Sequence, residues 1–227
     1  TMTNIKDRVS IQVGLSGYSF KIQDGDGSYS SGWMSADRVF TTPEFQKRYS
    51  QVDISVFTPK FTLIPSHFHH PLRVRENLAE VAPLEDSDKV ESVDVPEFAA
   101  VLLYSNTIGE TLSKVVSETV LMADGSKSSP LPEIYFMLKA LPQLPDYNKI
   151  LASYVDGYLY LTIAQGRSLL LCNSFRAPDF TTAEYFIFMA MKKLQLNPEV
   201  STITFRTSLE SEEEMSLYRY FKCVEVL

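Results

Sequence analysis

Apolar and polar residues alternate over two stretches near the amino terminus. Val9, Ile11, Val13 and Leu15 form one series, and Tyr18, Phe20 and Ile22 resume it after a break at Ser16-Gly17. A period of two is that of a strand with one buried face, and glycine tolerates the backbone of a tight turn, so residues 9–23 are predicted to be a hairpin. Asp24-Gly25-Asp26-Gly27 reads as a second turn and residues 29–34 as a third strand. Thr41 or Thr42 is placed to cap a helix with Pro43 in its first turn and Glu44 near its positive end. Residues 52–57 alternate again as a fourth strand.

The carboxyl-terminal part repeats this order. Residues 150–155 and 158–164 form a hairpin around Asp156-Gly157, and Gln165-Gly166-Arg167 turns into a strand over 168–173. Thr181 and Glu184 have capping-box spacing before Tyr185-Phe186-Ile187-Phe188-Met189-Ala190-Met191, a helix predicted to be buried on most sides and stopped by Asn197-Pro198. A strand follows over 201–207, with Ile203 and Phe205 on one face. Ser211 to Glu214 reads as a second capping box, its helix presenting Met215, Tyr218 and Phe221 along one side. A shift of 140 residues superimposes Gly17-Tyr18-Ser19-Phe20 on Gly157-Tyr158-Leu159-Tyr160. The same shift superimposes Phe40-Thr41-Thr42-Pro43-Glu44-Phe45 on Phe180-Thr181-Thr182-Ala183-Glu184-Tyr185. One ungapped offset for both matches points to two copies of a single unit, β-β-β-α-β with a closing helix. Between them, residues 72–81 have helical periodicity, 98–104 read as a strand and 131–141 as a helix; the acidic 87–96 and the small, polar 123–129 read as exposed loops.

Composition narrows the function classes. Of 227 residues, 44% are apolar, with 14 Phe and 12 Tyr, which excludes wholesale disorder, and the length admits two compact lobes or one large domain. A net charge of −7 with no basic run argues against a nucleic-acid backbone or an anionic membrane surface as main partner. Two cysteines, Cys172 and Cys223, make no disulfide framework and read as reduced thiols of a cytoplasmic protein. No apolar stretch reaches the roughly 18 residues of a membrane helix, and the first residues lack a signal peptide's apolar segment. The chain starts on Thr rather than Met, so a trimmed leader stays open.

Two copies of β-β-β-α-β-α resemble the actin-like ATPase (ribonuclease H-like) fold, an α/β architecture of duplicated lobes with mixed sheets. The lobes are expected at 1–145 and 146–227. More narrowly, the chain is similar to a Bacteroides-group family of unknown function assigned to that fold. Arg8-Val9-Ser10-Ile11-Gln12, Gly17-Tyr18-Ser19-Phe20 and Leu169-Leu170-Leu171-Cys172-Asn173-Ser174-Phe175 carry the likeness, continued by Asp179, Tyr185-Phe186 and Tyr220-Phe221. The broader resemblance implies phosphates held between two hairpin turns, each with an Asp and several glycines.

Tested on that point, the sequence departs from the pattern. The first turn, Val13-Gly14-Leu15-Ser16-Gly17-Tyr18, has Leu15 where the acid belongs. The second, Ser153-Tyr154-Val155-Asp156-Gly157-Tyr158, has one Asp, one Gly and then a bulky ring. A Gly-Gly-Thr loop is missing, and Gly166 is the last glycine, so Phe205-Arg206-Thr207-Ser208-Leu209 would crowd a base. Ordinary turns account for Ser16-Gly17 and Asp156-Gly157 equally well. The expectation is a non-catalytic, pseudo-ATPase scaffold or adaptor that binds proteins or itself, without cofactor or metal. The rival is an ATP-binding assembly ATPase with an unconventional site built on Ser16, Gly17, Lys21, Asp156 and Gly157.

Other constellations are weaker. His67, His69 and His70 are the only histidines and sit between Pro65 and Pro71; they read as a solvated loop, because a full zinc ligand set does not accompany them. A nucleophile elbow of the Gly-x-Ser-x-Gly kind is missing. Cys172 lies in an apolar strand and reads as core. Glu212, Glu213 and Glu214 suit a helix start. Tyr218-Arg219-Tyr220-Phe221 cannot bury every ring on one helix face, which points to an exposed aromatic available for protein contact.

Overall fold

The computed structural model describes residues 7–25 and 27–227. Asp26 of the second predicted turn, and residues 1–6 on which the leader reading rested, lie outside them. In chain order the first elements are β1 (Arg8–Val13), β2 (Gly17–Asp24), β3 (Gly27–Ser30), β4 (Met34–Ser35), β5 (Arg48–Tyr49) and β6 (Gln51–Val56). Then come β7 (Phe61–Pro65), α1 (Val74–Ala79), β8 (Glu91–Val95), β9 (Ala100–Tyr104), α2 (Glu110–Thr119), β10 (Leu121–Met122), β11 (Leu131–Pro132) and α3 (Glu133–Ala140). The last are β12 (Asn148–Val155), β13 (Tyr158–Gln165), β14 (Ser168–Arg176), α4 (Phe180–Lys193), β15 (Thr202–Phe205), α5 (Ser211–Tyr218) and β16 (Cys223–Val226).

The duplication is visible in strand order. One sheet runs β3-β2-β1-β6-β11 and another β14-β13-β12-β15-β16. In both, the first three strands pair antiparallel as consecutive hairpins. Of the remaining two, one adds in parallel beside the first strand of the hairpin and the other in parallel beside that one. Such parallel additions need crossover connections, and each helical segment between the hairpin and the returning strand supplies one.

By internal contacts the chain divides into two units that interleave in sequence. One holds the described residues up to Thr58 with Ser87–Lys89 and Ser105–Glu133, and the other holds Pro59–Asp86, Val90–Tyr104 and Ile134–Leu227. The lobes of the sequence reading, 1–145 and 146–227, are contiguous.

In the first unit, Val9, Ile11 and Val13 of β1, Tyr18 and Phe20 of β2 and Val52 and Ile54 of β6 bury one face against Val39, Phe45 and Val116. Tyr18 and Phe45 rings lie 5.1 Å apart, and the Tyr18 hydroxyl shares a 2.6 Å hydrogen bond with Thr42 Oγ1. The helix expected after Thr41 or Thr42 is instead a pair of 3-10 turns, Ala36–Thr41 and Pro43–Gln46. Pro43 brings no N–H to an α-helical ladder, and Thr42 Oγ1 donates back to Arg38 O at 2.8 Å instead of capping forward. The third strand breaks at Gly32, whose φ is +67°, leaving β3 and β4 as separate partners of β2.

In the second unit, Ile150, Ala152, Leu159, Leu161, Ile163, Ile203 and Phe205 pack against Ala183, Ile187 and Met191 of α4 and Leu217 of α5. The opposite sheet face is covered too: Tyr160 stacks on Phe61 with centroids 6.5 Å apart, and Lys149 Nζ donates to Leu144 O. A three-stranded sheet, β7-β9-β8, packs Val101 and Leu103 on Leu78 of α1.

Several expectations are corrected here. The cap of α4 is Asp179, whose Oδ1 accepts from Thr182 N at 2.7 Å, not Thr181 with Glu184. The cap of α5 is Glu210, in reciprocal bonds with Glu213, not Ser211 with Glu214. Tyr185 points to solvent, while Phe180, Phe186 and Phe188 pack half-buried around the buried Ala183, Ile187 and Met191, so α4 keeps an exposed side along Tyr185. Of the side predicted to carry Met215, Tyr218 and Phe221, the first two are exposed and only Phe221 is buried, together with Leu217. Residues 87–96 contain β8, and α2 had no sequence forecast.

Candidate functional site

The first hairpin turn is closed by its own neighbours. Gly14 N donates to Gly17 O at 2.9 Å, and Ala36 N donates to Ser16 O at 3.0 Å. A Cβ on Gly17 would stand 2.3 Å from Met34 O and 2.6 Å from Trp33 Nε1. Glycine is thus required there because β4 and the Trp33 indole crowd the backbone. Leu15, at the position of the missing acid, is 59% exposed, and Ser16 is exposed beside it. Lys21 lies further along β2, opposite Ser10 and Ser30, about 13 Å from Gly17 at the usual rise of a strand.

The second turn, in the other unit, is built differently. Asp156 and Gly157 have φ of +52° and +73°, the consecutive left-handed pair of a type I′ hairpin turn that Asp-Gly favours. Gly157 O accepts from Ala177 N at 2.8 Å, while a Cβ on Gly157 would meet nothing nearer than 3.7 Å. Here glycine serves the backbone angle. Phe205 is fully buried, Arg206 N donates to Ala152 O at 2.9 Å, and the Arg206 guanidinium sits 5.8 Å from the Phe136 ring centre. Thr207 Oγ1 accepts from Tyr154 N at 3.0 Å. The late segment is therefore packed into its sheet and aromatic neighbours. Ser16 and Gly17 are adjacent in one turn with Lys21 on the same strand, and Asp156 and Gly157 form the turn of the second unit.

Sequence reasoning missed a buried polar cluster in the first unit. Gln12 Nε2 donates to Glu133 Oε1 at 3.0 Å, Ser19 Oγ donates to Gln12 Oε1 at 3.3 Å, and Ser55 Oγ donates to Ile11 O at 3.5 Å. Glu133 is fully buried. It opens α3 immediately after β11, whose Leu131 and Pro132 pair with Ser55 and Val56 at the end of β6. The cluster thus lies at the carboxyl ends of the parallel strands β1, β6 and β11, the edge at which open α/β sheets bind ligands. A carboxylate held by an amide donor can orient a water or a cation. The one sequence signal is a glutamine inside the otherwise apolar Ile11-Gln12-Val13.

Three further features surround other elements of the second unit. The histidines of the 66–70 segment line an open cavity of about 560 Å³ with Arg73, Asn77 and Glu80. Among the described residues no three His, Cys, Asp or Glu side chains are placed to hold a metal ion. A second cavity, about 520 Å³, lies between the starts of α4 and α5 and is lined by Glu184, Glu212, Glu213 and Arg219. Burial first, then repulsion from Glu210 and Glu184, holds the Glu213 carboxyl above its ordinary range, against the opposing hydrogen bond from Glu210 N. The third is the aromatic end of the chain: Phe221 stacks on Phe188 at 5.7 Å, whereas Tyr220 meets Phe188 edge-on at 4.9 Å and stays half exposed. Cys172 is half-buried on β14 rather than part of the core, and burial around its sulfur pushes the thiol up to about 12. No helix among the described residues is long and apolar enough to cross a membrane.

Residues 3–224 match the family described as Protein of unknown function (DUF3822), and the chain belongs to that family. No curated protein matches the sequence. Among solved structures it is similar to a Bacteroides thetaiotaomicron protein with actin-like ATPase fold and unknown function: TM-score 0.66, 18% identity, 100% of this chain and 94% of that one covered. It is also similar to the cytoplasmic domain of EpsL, an inner membrane component of the type II secretion system of Vibrio cholerae, with TM-score 0.51, 9% identity and coverage of 91% and 83%. A PilM-PilN type IV pilus biogenesis complex gives TM-score 0.52 at 12% identity, covering 97% and 88%. The chain adopts the actin-like ATPase fold, as its strand order and the expectation from its sequence both required.

Proposed function

We propose that this protein is a non-catalytic actin-like scaffold or adaptor whose surfaces bind other proteins. The observation that carries the reading is the closed first turn: Trp33 and Met34 occupy the approach to Gly17, and Leu15 replaces an acid. A turn whose glycine is already covered by an indole and a carbonyl has no room for a phosphate on that side. The packed Phe205–Thr207 segment removes space on the second sheet in the same sense. Relatives of the same fold act in assemblies, as the PilM-PilN complex and the secretion component EpsL indicate by name. Tyr220, Tyr185 and Met215 are each exposed, and they are residue types that protein contacts favour.

A second reading keeps one specific observation on its side. The buried Gln12–Glu133 pair stands at the carboxyl ends of parallel strands, where an ATP-binding assembly ATPase would place polar groups. In that reading Ser16, Gly17, Lys21, Asp156 and Gly157 contact the phosphates. Titration calorimetry with Mg-ATP separates the two. The scaffold reading predicts no saturable heat; magnesium-dependent binding that weakens in Lys21→Ala or Asp156→Ala would replace it with the second.

A further inference from the structure

We infer that the open edge of β14 is a docking site for an extended segment of a partner protein, which joins the sheet as a further strand and carries an acidic residue near one end. The inference rests on the scaffold reading and gives it a surface. β14 ends the sheet β14-β13-β12-β15-β16, and among the described residues only β13 pairs with it. Ser174 N donates to the adjacent Asn173 Oδ1 at 2.9 Å, so this N–H points away from β13, and alternation turns the backbone groups of Cys172 and Arg176 to the same side. Native proteins guard such edges with charges, prolines or bulges. Other edges here are guarded: β8 carries Glu91 and Asp94, β7 ends on Pro65, and β16 has Glu225 within four residues. β14 has one bulge, at Leu170, where Leu169 pairs with Ala164 and Leu171 with Ile163. Beyond it, Leu171 to Phe175 holds neither charge nor proline. Leu171 and Phe175 are only half-buried against the α4 core, with Phe175 stacked on Phe186 at 4.7 Å, and an added neighbour covers what such side chains leave exposed.

The start of β14 opens onto an apolar cavity of about 550 Å³, lined by Leu63, Ile64 and Pro65 of β7, by Phe98 and Leu169, and by Arg167. Leu169 lies opposite Ala164, on the sheet face where Tyr160 stacks on Phe61. Alternate side chains of an added strand project on that face, so backbone pairing supplies affinity and the cavity supplies selection. Charge chooses the partner. Arg167 and Arg176, at the two ends of the strand, are exposed and enter no ion pair among the described residues. Glu97, the one carboxylate lining the cavity, is held by Lys139 Nζ at 2.6 Å. An Asp or Glu near the end of an incoming segment meets a free arginine. A second copy of β14 brings the same two arginines and no acid, so the occupant is a different chain.

A phage library of random peptides, selected on the full chain, is the probe. Recovered peptides are expected to alternate apolar residues and to carry Asp or Glu near an end. Their synthetic copies should bind saturably and slow amide hydrogen exchange in β14. Ser174→Pro removes an outward N–H while leaving the β13 ladder intact, and should weaken binding about tenfold or more. Arg167→Glu should weaken it about tenfold, and wild-type affinity should fall as salt rises. Melting curves verify that each variant is folded, and the arginine variant decides alone if the proline one is not. Recovery of no peptide above the bare support, protection mapping outside β14, or full affinity in either folded variant overturns the proposal. Concentration-dependent dimers that Ser174→Pro abolishes assign the edge to a second copy and overturn it as well. The closed-turn argument is decided separately by Mg-ATP calorimetry, so either reading can fail without the other.

Discussion

Replacing Gly17 by alanine tests whether the first turn is sealed by packing. The added Cβ would sit 2.3 Å from Met34 O and 2.6 Å from Trp33 Nε1, both inside the closest approach of real carbon atoms. Trp33 is 43% exposed and its ring can swing away, but Met34 O belongs to the β4 backbone, which pairs with β2 at Gly17↔Ser35 and Tyr18↔Met34. Relief therefore requires β4 to lift, with loss of the Ala36 N to Ser16 O bond. Forced overpacking of this kind costs about 1–3 kcal/mol, and a backbone obstacle places it near the upper end. At about 2–4 °C per kcal/mol for a chain of this size, thermal unfolding should fall by roughly 6–12 °C. Gly157→Ala is the control: space is available and only the φ of +73° opposes it, so about 1 kcal/mol is expected. Calorimetric melting of both variants decides. Wild-type stability in Gly17→Ala, or a larger loss in Gly157→Ala, would refute the packing argument and free the first turn to face a ligand.

Other perturbations probe other parts of the structure. Glu133→Ala leaves the buried Gln12 amide without its acceptor and should cost about 1–3 kcal/mol in urea unfolding, with Glu133→Gln milder because an acceptor is retained; equal losses would contradict the hydrogen-bond account. Asp179→Ala should lower thermal stability and Thr181→Ala should not, since Asp179 Oδ1 caps α4. The Asp179 carboxyl is held below its ordinary range, first by the Thr182 N–H, so its contribution is present above the unfolded value of about 3.9 and is lost as pH falls through the lower native one. The gap between wild type and Asp179→Ala must therefore close on acidification. Cys172 should resist a thiol reagent at pH 8 in the folded protein and react on unfolding; rapid native labelling would show its thiolate is accessible.

What the sequence made legible was local. Both hairpins were readable, the first because Val9 to Ile22 carries a period of two and the second because two apolar runs flank the Asp156-Gly157 turn. The duplication was readable because the offset preserved turn and capping residues, and the two sheets confirm it strand for strand. Caps were misplaced where several oxygen-bearing side chains stood together: Asp179 and Thr181 are equivalent on paper, and the extended backbone of Asp179 selects it. β8 was hidden because Glu91-Ser92-Val93-Asp94-Val95 is polar, its place set by pairing with β9. The start of α2 follows Gly109, which makes no side-chain cap, so there was no signal to read. The Gln12–Glu133 pair joins residues 121 apart and exists only once β11 lies beside β6.

The central claim is that the actin-like frame is kept while its phosphate grip is not. A crystal grown with magnesium and a non-hydrolysable ATP analogue examines it directly. The account predicts turns at Gly14–Gly17 and Asp156–Gly157 unchanged and free of nucleotide. Ordered triphosphate density against Ser16-Gly17 or Asp156-Gly157, with the Trp33 ring displaced, would contradict it.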